Sequence, residues 1–117
     1  MRWSANWRAV MPDGTLSALG LCAKAGKLVF GTPMICEALS GRKKPYAVFA
    51  ASDKSQNTSK RLGDRCAFYG IPLHELRADG ETLARAVGKS GRLAAVAVTD
   101  EQLCRLVCGK LETEHNL

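Results

Sequence analysis

Two stretches of the chain, residues 46–51 and 93–98, are apolar at every position. Unbroken runs of this length predict strands covered on both faces, because a half-exposed strand would alternate. Around them the apolar spacing lengthens to that of a helix. Leu16, Leu19 and Cys22 or Ala23 space a first helix, opened by Asp13 and stopped near Gly26. Residues 28–30 form a short apolar strand. A helix from Thr32 to about Ser40 follows, with Thr32 as its N-cap and Pro33 at the first helical position. Gly41-Arg42-Lys43-Lys44-Pro45 ends it in a basic turn.

Leu62, Cys66 and Tyr69 mark the buried side of a helix over 58–69, with Lys60, Arg61, Asp64 and Arg65 on the wet side and Gly70 as its stop. Residues 71–76 read as a strand whose Pro72 places it at a beginning or an edge. Asp79 opens a small helix to Val87. Thr99 and Gln102 have capping-box spacing ahead of a last helix lined by Leu103, Leu106, Val107 and Leu111. Helices alternating with short strands predict an α/β fold, a mixed or mostly parallel sheet of about four strands with helices on both sides. The expected organisation is a poorly ordered extension over 1–10, one domain over 11–111 and a polar tail over 112–117.

Charge changes the picture more than composition does. The net charge is +6 over 117 residues. Residues 24–65 hold nine basic and three acidic side chains and so carry the whole excess. A one-sided basic surplus points to a polyanion, nucleic acid first. The helix start at Gly31-Thr32 offers backbone donors and the positive end of a helix dipole, which suits phosphate. Folding is expected to gather Lys27, Lys54, Lys89 and Arg92 around it as a cationic rim.

Catalytic equipment is not evident. Gly88-Lys89-Ser90 fails as a phosphate loop, because position 83 is Leu rather than Gly and the segment leads into a strand. The five cysteines are odd in number and lack Cys-x-x-Cys spacing, so they read as reduced, small apolar residues. Cys104 and Cys108 share a helix face, and His74 is expected to have a surface or structural role. No metal, cofactor or catalytic residue is expected. Without a signal-like or membrane-length apolar run, a cytoplasmic location is expected.

Several segments, in order, carry a resemblance: Leu19-Gly20-Leu21-Cys22-Ala23-Lys24-Ala25-Gly26-Lys27-Leu28-Val29-Phe30-Gly31, then Ala51-Ser52-Asp53-Lys54-Ser55-Gln56-Asn57-Thr58-Ser59-Lys60, then Tyr69-Gly70-Ile71-Pro72, then the loop-and-strand unit over 83–98. With them the chain resembles the ribosomal protein L7Ae family of kink-turn RNA binders, and is most similar to its small bacterial members. The resemblance implies a three-layer α/β/α sandwich with a mixed four-stranded sheet. It implies RNA contacts at Gly31, Thr32, Pro33 and Met34, at Asp53 and Lys54, and at Lys89, Ser90 and Arg92. The implied partner is ribosomal or other structured RNA, with ribosome association and no membrane. Kink-turn binders of the family carry Asn-Glu after Gly-Thr and a Lys three positions beyond the Glu. Here Pro33, Met34 and Glu37 stand instead, and Lys89-Ser90-Gly91-Arg92 replaces an apolar loop. These departures motivate an alternative, a protein-interaction adaptor of the same fold whose RNA contacts have eroded.

Overall fold

The computed structural model describes residues 14–115. The expected extension, the Asp13 cap, the tail beyond residue 115 and the side chain of Leu111 lie outside the described residues. The order of elements is α1 (Gly14–Lys24), β1 (Leu28–Phe30), α2 (Thr32–Leu39), β2 (Ala47–Ala50), α3 (Gln56–Tyr69), β3 (Leu73–Glu75), α4 (Gly80–Ala86), β4 (Ala95–Val98) and α5 (Glu101–His115). The sheet runs β1-β4-β2-β3. β4 is antiparallel to both of its neighbours, and β2 and β3 are parallel. The sheet is mixed, and β3, which follows Pro72, is an edge as Pro72 predicts.

β2 and β4 are buried at every position. Their side chains alternate between two cores, as the strand period of two requires. Ala47, Phe49, Val96 and Val98 join Leu16, Leu19 and Cys22 of α1, Leu83 of α4 and Val107 of α5 on one face. Val48, Ala50, Ala95 and Ala97 join Ile35 and Leu39 of α2 and Leu62 and Cys66 of α3 on the other. The molecule is thus an α/β/α sandwich.

Three helix starts differ from expectation. α3 opens at Gln56 rather than near Thr58, because Ser55 Oγ accepts the Thr58 N–H at 3.1 Å and so caps the helix two residues sooner. Gly31, not Thr32, is the N-cap of α2. Its backbone sits at φ 85°, ψ 152°, a region essentially restricted to glycine. The chain therefore turns one residue earlier, and Thr32 becomes the first helical residue. Asp100, not Thr99, caps α5, its Oδ1 accepting the Leu103 N–H at 3.0 Å. Leu106, expected to line α5, is exposed, and Cys104 is buried instead.

β1, β2 and β3 all finish at one end of the sheet, where β4 begins; this is the upper end. Asp53 ties its loops together. Asp53 Oδ1 accepts the Gly80 N–H at 2.8 Å, and Oδ2 accepts from the Arg92 guanidinium. Gly80 O accepts the Leu93 N–H at 3.0 Å. A Cβ at Gly80 would stand 2.9 Å from Leu93 O, which is backbone and cannot swing away.

Gly80→Ala is therefore expected to lower stability by about 1–3 kcal/mol in urea unfolding. Gly63→Ala, in α3 with nothing within 4 Å of the added Cβ, is expected to raise it by about 0.4–1 kcal/mol. Asp53→Ala should cost about 1–3 kcal/mol by leaving the Gly80 amide without its acceptor. Hydrogen exchange is then expected to quicken first at Gly80. Asp79 caps α4 through the Thr82 N–H at 2.8 Å. That bond, chiefly, holds its carboxyl below the ordinary value of 3.8. A depressed carboxylate stabilises the fold above its unfolded value, and the benefit disappears as pH falls through the folded value. The cost of Asp79→Ala in urea unfolding is therefore expected to be larger at neutral pH than well below pH 3.8.

Candidate nucleic-acid interface

The upper end carries the start of α2. Gly31 N–H donates to Ala95 O at 3.1 Å, which fastens the turn to β4. Gly31 O accepts from Ile35 N–H at 3.0 Å and begins the helix. No side chain caps this end. Pro33 lacks an N–H, so the backbone donors of the first turn are those of Thr32 and Met34. Pro33 and Met34 are exposed, and Met34 keeps 53% of its surface open.

The 88–92 loop lies beside this start. The Lys89 ammonium sits over the Phe30 ring, 4.5 Å from its centroid, at the finish of β1. Ser90 and Arg92 are exposed. The loop after β2 comes to the same end through the Asp53 tie. Of the residues singled out by sequence, Gly31, Thr32, Pro33, Met34, Asp53, Lys54, Lys89, Ser90 and Arg92 all gather here.

Gathering does not make each available. Lys54 points inward: its side chain is 6% exposed, and its ammonium donates to Ala51 O at 3.2 Å and to the Glu75 carboxylate. Its expected role as a phosphate partner gives way to bracing β2 against β3. Asp53 and Arg92 hold each other. Arg92 remains largely exposed and can still reach outward.

Lys27 is not part of this group. It immediately precedes β1, while Gly31 follows it, so a strand's length separates them. Lys27 O accepts the Thr99 N–H at 2.9 Å at the lower end of the sheet. Arg42, Lys43 and Lys44 precede β2 and lie at the lower end too. The single cationic rim expected from sequence is thus two groups at opposite ends. The short strand 28–30, recognised in the sequence, was signal enough to part Lys27 from Gly31. Phe30 and Glu75, which receive Lys89 and Lys54, escaped sequence reasoning because their partners lie far along the chain.

Burial pushes the Cys22 and Cys66 thiols up from their ordinary value. Burial, and then Cys108, push the Cys104 thiol up to about 12, so it keeps its proton at neutral pH. His74 stacks on Phe49, ring centroids 5.1 Å apart, with Cys108 Sγ 3.8 Å from its Nε2. No group of three or more His, Cys, Asp or Glu side chains suited to a metal ion occurs among the described residues. No helix among them is long and apolar enough to cross a membrane.

Comparison with known proteins sets the chain in a family. The RNA-binding protein YlxQ of Bacillus subtilis (strain 168) is 32% identical over 83 residues, 71% of this chain and 80% of that protein. YlxQ of Enterococcus faecium is 30% identical over 81 residues, 69% of this chain and 77% of that protein. Among solved structures, a protein of unknown function from Bacillus halodurans superposes with a TM-score of 0.77 at 31% identity, covering 84% of this chain and 96% of that one. The Giardia lamblia 15.5 kD RNA-binding protein shares the fold, with a TM-score of 0.71 at 18% identity, covering 84% and 82%. The model of the Ribosomal protein L7Ae/L30e/S12e/Gadd45 family matches residues 14–107, and the chain belongs to that family.

Proposed function

We propose that this protein is a non-catalytic RNA-binding protein that takes structured RNA against the upper end of its sheet, in the cytoplasm and in association with the ribosome. The observation that carries the proposal is the meeting of three chain-distant loops at an uncapped helix start, in a chain whose relatives are named as RNA-binding proteins. The Thr32 and Met34 amides can donate to one phosphate, with the α2 dipole adding to their pull. Lys89 and Arg92 flank that point as cations, and exposed Met34 offers an apolar contact to a splayed base. Pro33 supplies no donor and Glu37 repels phosphate. Recognition is therefore through backbone and shape rather than through base edges, and a kink-turn is favoured for its bend.

Fluorescence anisotropy with a kink-turn RNA and a plain stem, each at two salt concentrations, tests this. Both RNAs are expected to bind in a salt-sensitive way, with the kink-turn ahead. Lys89→Ala is expected to flatten the dependence of log affinity on log salt by about 0.9 for its one phosphate. Absence of salt-sensitive binding to either RNA would overturn the proposal. Equal binding would remove the kink-turn preference alone. A protein partner that survives ribonuclease treatment of a lysate would favour the adaptor reading.

A further inference from the structure

The upper end is close to electrically balanced: Lys54 is paired with Glu75, and Arg92 with Asp53. The surplus of positive charge lies elsewhere. At the lower end Leu28 and Ala47 both face Val98, so the residues before them, Lys27 and Tyr46, stand on either side of the β4 exit. Across two strand spacings they are about 10 Å apart. Lys24 closes α1 at this end, and Arg42, Lys43 and Lys44 form the turn into β2. Lys24, Lys27, Arg42 and Lys43 are exposed and make no ion pair among the described residues.

Aromatic rings interleave with these cations. The Lys44 ammonium lies 5.2 Å from the Tyr69 ring centroid. Tyr69 meets Phe68 edge to face, centroids 4.9 Å apart. Phe68 is 81% exposed and Tyr46 48%, so both present ring surface to solvent. The acids on adjoining elements do not cancel the charge. Glu101 is paired with Arg105. Glu37, Asp64 and Asp100, a carboxylate that also caps α5, are three acids against the six cations Lys24, Lys27, Arg42, Lys43, Lys44 and Arg65.

We infer that the lower end, from Lys27 and Tyr46 through Arg42–Lys44 to Phe68, is a second RNA-contact surface, which takes a single-stranded segment flanking the structured RNA held at the upper end. This rests on the RNA-binding reading above and adds a site to it. Unpaired cations track the phosphates, and open ring faces accept unstacked bases with little regard to sequence. A duplex would meet the cations but leave the rings without bases. The carboxylates of an acidic peptide would match the charge but find no partner in the open ring of Phe68, the most open large apolar side chain described.

The test uses the full chain and two fluorescent RNAs: a kink-turn, and the same kink-turn with a single-stranded tail of about ten nucleotides, within the span of known single-strand sites. The wild-type protein is expected to bind the tailed RNA more tightly and with a steeper salt dependence. The triple variant Lys27→Ala, Arg42→Ala, Lys43→Ala changes only exposed side chains and should fold normally, as circular dichroism would verify. It is expected to bind the untailed RNA nearly as the wild type does, and to lose the advantage of the tail, with the salt slope for tailed RNA falling by roughly 2, about 0.7 for each of three phosphates. Phe68→Ala is expected to weaken tailed binding about tenfold without changing the salt slope, by loss of one stacked base. A tail advantage that persists in the triple variant, or a wild-type protein indifferent to the tail, would overturn the second surface and leave the upper site standing. Failure of the wild type to bind either RNA would overturn both.

Discussion

Burial of β2 and β4 on both faces is the constraint from which the rest follows. Their backbone groups are paired inside the sheet and their side chains are shared between two cores. Helices must therefore cover both faces, and the faces cannot serve as binding surfaces. Among the surfaces that remain are the two ends, where strands give way to loops and helices start. At the upper end one carboxylate, Asp53, holds a helix start and a guanidinium from distant parts of the chain. It adds the side-chain tie to backbone links that already join these loops, among them Lys89 N–H to Ala84 O, Leu93 N–H to Gly80 O and Ala51 N–H to Ala94 O.

The central layer was legible because its signal is local. Six apolar residues in a row leave few alternatives, and 46–51 and 93–98 each contain a fully buried strand. Helix starts were legible to within one or two residues. Thr32 was displaced as cap because Gly31 adopts a backbone conformation that lets the turn begin sooner. Thr99 lost to its neighbour Asp100, whose carboxylate reaches the Leu103 amide. Both errors are competitions between adjacent residues, which composition and spacing do not resolve.

The electrostatics of the candidate site were much less legible, for a different reason. Whether a lysine is free depends on what folding sets opposite it. Lys54 finds Glu75, 21 residues away, and Arg92 finds Asp53, 39 residues away. A charge count over a window of sequence treats these four as two cations and two anions at large, when Lys54 is closed off with Glu75 and Arg92 is tied to Asp53 while largely exposed. The same count lumps Lys27 with Lys54, although a strand carries them to opposite ends. Sequence gave the right surplus and misplaced it.

The strands themselves are short. Four residues at about 3.3 Å each set the two ends of the sheet only about 13 Å apart, before the loops are added. One flexible strand of RNA leaving the upper end would span that gap within a few nucleotides. Its encounter with the lower end would then be intramolecular, at an effective concentration in the millimolar range or above. Two individually weak contacts would add as avidity, and the brevity of β2 and β4 would act as a ruler that selects how far from the fold an RNA's loose end must begin.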